Sequence, residues 1–172
     1  MNLQSDDFEL FGLQRRFAQD RAVLDARWKD LQREAHPDKF AAQGAAAQRI
    51  AMQWSVRINE AYQRLKNPLT RAAYLCELQG VPVNAEINTA MPAAFLQQQM
   101  EWREELDTAH SPEDLEKIRL QVNQAGRDVL QKMQHLMDDQ GAFTEAVAQV
   151  RVLMFIDRFK RDVDSRLDQI ES

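Results

Sequence analysis

Apolar residues recur at three- and four-residue intervals along most of the chain, and no stretch alternates strictly between apolar and polar positions. That periodicity predicts an all-α protein. Leu24, Trp28, Leu31 and Ala35 share one stripe and predict a helix over 20–35. Ile50, Trp54, Ile58, Ala61 and Leu65 predict a second over 46–66. Asn67-Pro68 ends that helix, because the residue before a proline avoids the α region. Two short helices flank the pair: one begins after Ser5, which could cap it, and ends near Gly12, and the other covers 69–78. The four make a helical hairpin with two short flanking helices.

Gln79 to Asn84 carries a glycine and a proline and opens a linker over 79–90, separating residues 1–78 from 91–172. Three longer helical patterns follow. The first, over 91–109, aligns Phe95, Trp102, Leu106 and Ala109. The second opens at Ser111-Pro112-Glu113-Asp114, which combines a capping serine, a first-turn proline and acids at the positive helix end. Its stripe is Leu115, Ile118, Val122, Ala125, Val129, Met133 and Leu136, and Gly141 supplies its stop. The third, over 142–170, aligns Val152, Ile156, Phe159, Val163, Leu167 and Ile170. Short connections favour antiparallel neighbours, so these three predict a three-helix bundle.

Charge separates the two halves. Residues 1–75 hold 12 Lys/Arg against 9 Asp/Glu, a net of +3, and residues 76–172 hold 10 against 18, a net of −8. Two surfaces suited to different partners follow. The overall −5 speaks against nucleic-acid binding, which needs a basic excess to displace counterions. No apolar run approaches the length of a membrane span, and Met1 to Leu10 is acidic, unlike a signal or transit peptide. The single cysteine, Cys76, excludes an internal disulfide and any multi-cysteine zinc site. A cytoplasmic protein without a metal or cofactor is the expectation.

Candidate chemistry concentrates between the second and third helices, at His36-Pro37-Asp38. Pro37 removes a backbone donor and halts the helix at His36, so a stiff loop presents an imidazole and a carboxylate. Lys29 and Arg33, four residues apart on the side away from the Leu24/Trp28/Leu31 stripe, join Lys39 in a basic patch beside Asp38. As an acid–base pair, His36 and Asp38 have no nucleophile, oxyanion site or second carboxylate implied nearby, so an enzyme is not expected. On these residues alone the turn reads either as an ordinary proline-ended connection or as a recognition loop.

Leu31 to Phe40, with His36-Pro37-Asp38 at its heart, resembles the helix–loop of a J domain. So does Ile58-Asn59-Glu60-Ala61-Tyr62-Gln63-Arg64-Leu65, followed by Pro68, Arg71, Ala72 and Tyr74. The resemblance implies that the first 78 residues bind a DnaK-class chaperone and stimulate its ATP hydrolysis. His36, Pro37 and Asp38 would be the activating loop, Lys29, Arg33 and Lys39 its basic surround, and Asp38 a competitor for an arginine in the ATPase. Phe8-Glu9-Leu10-Phe11-Gly12-Leu13, and Phe95-Leu96 followed by Met100-Glu101-Trp102-Arg103-Glu104-Glu105-Leu106, are similar to the HscB family. That family pairs a J domain with an acidic three-helix domain and brings the iron–sulfur scaffold IscU to the chaperone HscA. A J-domain adaptor for a different client is the alternative.

By that resemblance the scaffold-binding positions are Leu96, Met100, Glu101, Glu104 and Phe155, with Gln97 polar where many relatives are apolar. The helical wheel lends separate support. Leu96 and Met100 lie roughly 100–140° around from Phe95, outside the main stripe, and Glu101 and Glu104 continue further round. Phe155 lies at the edge of its own stripe. His110 and His135 have no partner at metal-ligand spacing, Cys76 reads as a buried small hydrophobe, and Trp28, Trp54 and Trp102 fall on core stripes.

Overall fold

The first helix begins one residue later than the sequence suggests. In the computed structural model, which describes residues 2–84 and 89–171, Asp6 rather than Ser5 caps α1 (Asp7–Phe11). Its carboxylate accepts the Glu9 N–H at 2.9 Å, and Gly12, at φ 65°, closes the far end. A carboxylate there also meets the positive helix end and the Arg15 guanidinium, advantages a serine hydroxyl lacks. The remaining elements are α2 (Arg21–Ala35), a 3-10 turn (Pro37–Gln43), α3 (Ala45–Lys66), α4 (Pro68–Leu78), α5 (Ala93–Thr108), α6 (Pro112–Gln134), a π turn (His135–Asp139) and α7 (Phe143–Glu171). The protein is all-α, with no strand among the described residues. It divides into two compact units, residues 1–75 and 76–172, the boundary falling within α4. Part of the expected linker, residues 85–88, lies outside the described residues.

In the first unit, Leu24 of α2 and Ile58, Ala61 and Leu65 of α3 form a core closed by Phe8, Leu10 and Phe11 of α1 and by Ala72 and Leu75 of α4. Polar side chains tie α2 to α3 beside this core. Trp28 Nε1 donates to Asn59 Oδ1 at 3.0 Å, Gln32 Nε2 donates to the same oxygen at 2.8 Å, and the Ser55 hydroxyl donates to Gln32 Oε1 at 2.9 Å. Trp28 also stacks on Tyr62, whose hydroxyl donates to Asp25 at 2.7 Å.

Nearer the loop the two helices are less sealed. A groove of about 340 Å³ opens between Leu31, Ala35, Phe40, Ala47, Ile50 and Trp54. Ile50, expected in the core stripe, is therefore 56% exposed, while Trp28 and Trp54 are half-buried. Phe40 and Gln43 of the 3-10 turn line the same groove.

Asp7 has no exposed surface, and its carboxylate lies 2.8 Å from Arg57 and 3.4 Å from Arg64. Its own N–H donates to the Tyr74 hydroxyl at 3.0 Å, and Arg64 lies over the Tyr74 ring. A buried carboxylate left without cations would be strongly destabilising, so this group fixes α1 to both α3 and α4. Arg71 plays a parallel part by donating to the Phe17 and Leu65 carbonyls at 2.7 Å each.

In the second unit α6 and α7 are joined by a short turn at Gly141, φ 61°, and bury Leu115, Ile118, Val122 and Met133 against Val150, Ile156, Phe159, Val163 and Leu167. Ser111 caps α6 as its sequence predicts, accepting the Asp114 N–H at 3.2 Å. The π turn that extends α6 is absent from the sequence expectation. Its wider winding lets two consecutive residues, Leu136 and Met137, face the core together. Ile170, in the expected stripe of α7, is 39% exposed because the last turn runs past the core.

Arg151, buried in α7, donates to the Val83 carbonyl at 3.1 and 3.2 Å and to the Ala90 carbonyl at 3.1 Å, contacts that all lie within the second unit. Cys76 is fully buried. Burial pushes its thiol up to about 11, partly opposed by the Arg151 charge, so at neutral pH it is a small apolar group.

Candidate functional site

Backbone chemistry shapes the turn after α2. His36 has an extended conformation (φ −62°, ψ 127°) that ends the helix, as the following proline requires. Pro37 then occupies the first position of the 3-10 turn, and the His36 ring caps that turn, its Nδ1 accepting the Asp38 N–H at 3.2 Å. A ring nitrogen that accepts carries no proton, so Nδ1 cannot at the same time donate to the Asp38 carboxylate 3.7 Å away. Among the described residues that carboxylate has no lysine or arginine within ion-pair distance, and it is 92% exposed. The structure thus brings His36, Pro37 and Asp38 together on one capped turn, with His36 and Asp38 facing outward.

Lys29 and Arg33 are both exposed on α2, and Lys39 is exposed on the turn. Arg33 is not a free cation, since it pairs with Asp30 at 2.6 Å. Both partners are solvent-exposed, and a pair of that kind is weak enough for a competing anion to displace.

The second group of expected residues lies on α5. Leu96 is 47% and Met100 74% exposed, an apolar pair standing clear of the buried Trp102 and Leu106. Glu101 and Glu104 are exposed as well. On the wheel, Glu104 lies roughly 40° and Glu101 roughly 100° beyond Met100, so the acids extend across the outer side of the helix.

Phe155 is placed differently from its expected position at the edge of a stripe: only 5% of it is exposed. Its ring meets Phe95 edge-on at 5.6 Å and stacks on Phe159 at 5.8 Å, and Phe159 stacks on Trp102 at 5.7 Å. Aromatic surface of this size is buried wherever two helices can enclose it. Phe155 is therefore a floor beneath the face rather than part of it. The residue that covers this floor, Arg103, is one that sequence reasoning passed over. Its guanidinium lies 5.4 Å from the Phe155 ring centre. The same wheel could have found it, since it falls on the side of Leu96 and Met100.

The histidines outside the turn do not build a site. His135 Nδ1 meets Asp139 at 2.9 Å and its Nε2 meets Gln140 at 3.0 Å, and His110 is exposed. No group of three potential metal ligands occurs among the described residues, and no helix is long and apolar enough to cross a membrane.

An exposed turn on one helical unit and an apolar–acidic face on another are means of holding other proteins, and comparison with known proteins gives the class: co-chaperones. Residues 91–164 match the family model of the HSCB C-terminal oligomerisation domain. The co-chaperone protein HscB homologues of Azoarcus sp. strain BH72 and Burkholderia multivorans are 41% and 43% identical to the chain, each over 100% of it and 99% of the relative. The chain belongs to the HscB family. Among solved structures it resembles HscB from Vibrio cholerae, with a TM-score of 0.81 and 36% identity over 96% of this chain and 99% of that one. It also resembles human co-chaperone HscB, with a TM-score of 0.88 and 26% identity over 96% of this chain and 84% of the human chain.

Proposed function

We propose that this co-chaperone stimulates ATP hydrolysis by the DnaK-class chaperone HscA and delivers the iron–sulfur scaffold IscU to it. Residues 1–78 act as a J domain, 79–90 as a linker and 91–172 as the scaffold-binding domain. The observation that carries the reading is the Asp38 carboxylate: exposed, without a lysine or arginine partner among the described residues, and carried on a turn whose backbone is set by Pro37 and the His36 cap. Such a group can take an arginine away from an existing partner within the ATPase, and a charge-assisted bond to it would favour the hydrolysing state. Lys29, Arg33 and Lys39 supply a basic docking face around it.

The client rests on Leu96 and Met100, with Glu101 and Glu104 on the outer side of α5 and Phe155 supporting the face from beneath. Holding both partners on one chain raises the concentration of scaffold at the chaperone. The protein carries out no chemistry of its own and works in the cytoplasm. A J-domain adaptor for another client remains the second reading, favoured only if IscU fails to bind.

The test is the ATPase rate of purified HscA with this protein, with and without IscU. Stimulation is expected from the protein and is expected to rise further with IscU. His36→Gln should abolish stimulation while leaving the fold and IscU affinity unchanged. Loss of IscU binding in that variant would contradict the division of labour.

A further inference from the structure

The face on α5 contains a cation that the proposed function leaves unused. Glu101, Glu104, Glu105 and Asp107 are all exposed on this helix, yet Arg103 makes no ion pair among the described residues. Asp107 stands one turn further on, at the spacing where helical ion pairs form. The Arg103 guanidinium turns instead to the Phe155 ring, 5.4 Å from its centre. That ring is held in place by Phe95 and Phe159 and is itself buried. Leu96, Met100 and Arg103 succeed one another at four and three residues and so form one ridge along the helix.

An arginine anchored on an aromatic face keeps its N–H donors free at the edges of the guanidinium plane. The aromatic floor also excludes water from one side, which strengthens any charge-assisted hydrogen bond made there. We infer that Arg103 receives a carboxylate of the bound scaffold protein, so that the docking segment pairs an acidic side chain with an apolar one set against Leu96 and Met100. The inference rests on the assignment of α5 to the scaffold and adds the chemistry of what docks there. The neighbouring acids sharpen selection. A carboxylate displaced from Arg103 meets Glu104 and is repelled, so one register of the partner is favoured over its neighbours.

The test is calorimetric titration of the full-length protein with apo-scaffold protein at low and high salt. Arg103→Met keeps an apolar stem over the ring and removes only the charge. It is expected to weaken binding about tenfold at low salt and to flatten the salt dependence. Arg103→Lys should recover part of the loss, because the charge returns without the fork of donors. Arg103→Glu should be rescued by changing one scaffold Asp or Glu to Lys, found by substituting these singly. Parent-like affinity and salt dependence in Arg103→Met would overturn the inference, as would the absence of any rescuing scaffold position. The double variant Leu96→Ala with Met100→Ala separates the two levels. If it loses binding while Arg103→Met does not, the face stands and the carboxylate does not; if neither loses binding, the assignment of α5 itself fails.

Discussion

The turn at His36-Pro37-Asp38 and the ridge at Leu96-Met100-Arg103 present their side chains by opposite means. No residue from Pro37 to Gln43 is buried, so the turn draws its shape from backbone restriction and from two local hydrogen bonds, the Asp38 N–H to the His36 ring and the Lys39 N–H to the His36 carbonyl. The ridge stands on four interlocked rings, Phe95, Trp102, Phe155 and Phe159. Its geometry is therefore borrowed from the core of the second unit. The difference teaches which perturbations each can survive. The turn should respond to backbone freedom and ignore core packing elsewhere, and the ridge should do the reverse.

The largest expected effect comes from breaking the ridge's support. Trp102 is 2% exposed and sits between Phe95 and Phe159. Trp102→Ala should lower the stability of the second unit by about 3–5 kcal/mol and take scaffold affinity with it. ATPase stimulation without scaffold should stay within about twofold of the parent, well under 1 kcal/mol. Thermal unfolding followed by circular dichroism, beside the ATPase assay, reads both quantities. If stimulation falls in step with stability, the two regions are not independent and the contrast collapses.

A smaller change on the other side sharpens it. Pro37→Ala leaves every core residue in place and frees the backbone at the start of the turn. The stability loss should be about 0.4–1 kcal/mol, since the proline acts mainly by restricting the unfolded chain. The effect on function should exceed that figure, with stimulation falling about tenfold as His36 and Asp38 lose their shared frame. Scaffold affinity, read by titration, should not move. An unchanged ATPase rate would mean that the carboxylate alone matters and its framing does not.

How far the sequence reveals these regions follows from the same physics. Periodicity exposes a helix face, so α2, α3 and the three long helices are legible, and Ser111-Pro112 and Asn67-Pro68 mark their ends by purely local rules. Depth is not local. Ile50 has the right spacing for the core yet lies on a groove rim, and Phe155 looks marginal yet is enclosed, because neither spacing records how near the neighbouring helix comes. Nothing in the local sequence around Asp7 distinguishes it from the acids Asp6 and Glu9 beside it. Its partners Arg57 and Arg64 are far along the chain, and only the folded unit shows that the three belong together. Arg103 was visible on the wheel but had no meaning until the Phe155 ring lay beneath it.

The smallest predicted effect separates stability from function within the second unit. Gly126 lies in the interior of α6 and is buried against α7. A methyl group there would meet Lys160 Nζ at 3.5 Å and Ile156 Cγ2 at 3.6 Å, ordinary contact distances that require neither helix to move. Glycine within a helix is less favourable than alanine by up to about 1 kcal/mol, so Gly126→Ala should stabilise the unit by about 0.5–1 kcal/mol. That corresponds to a rise of roughly 1–4 °C in melting temperature for a chain of this size. The ridge rests on α5 and α7 through its rings, and Gly126 touches none of them. Scaffold affinity and chaperone stimulation should therefore both match the parent. Should the added methyl group weaken scaffold binding, the ridge would depend on how closely α6 and α7 approach, and its support would extend beyond the four rings into the whole bundle.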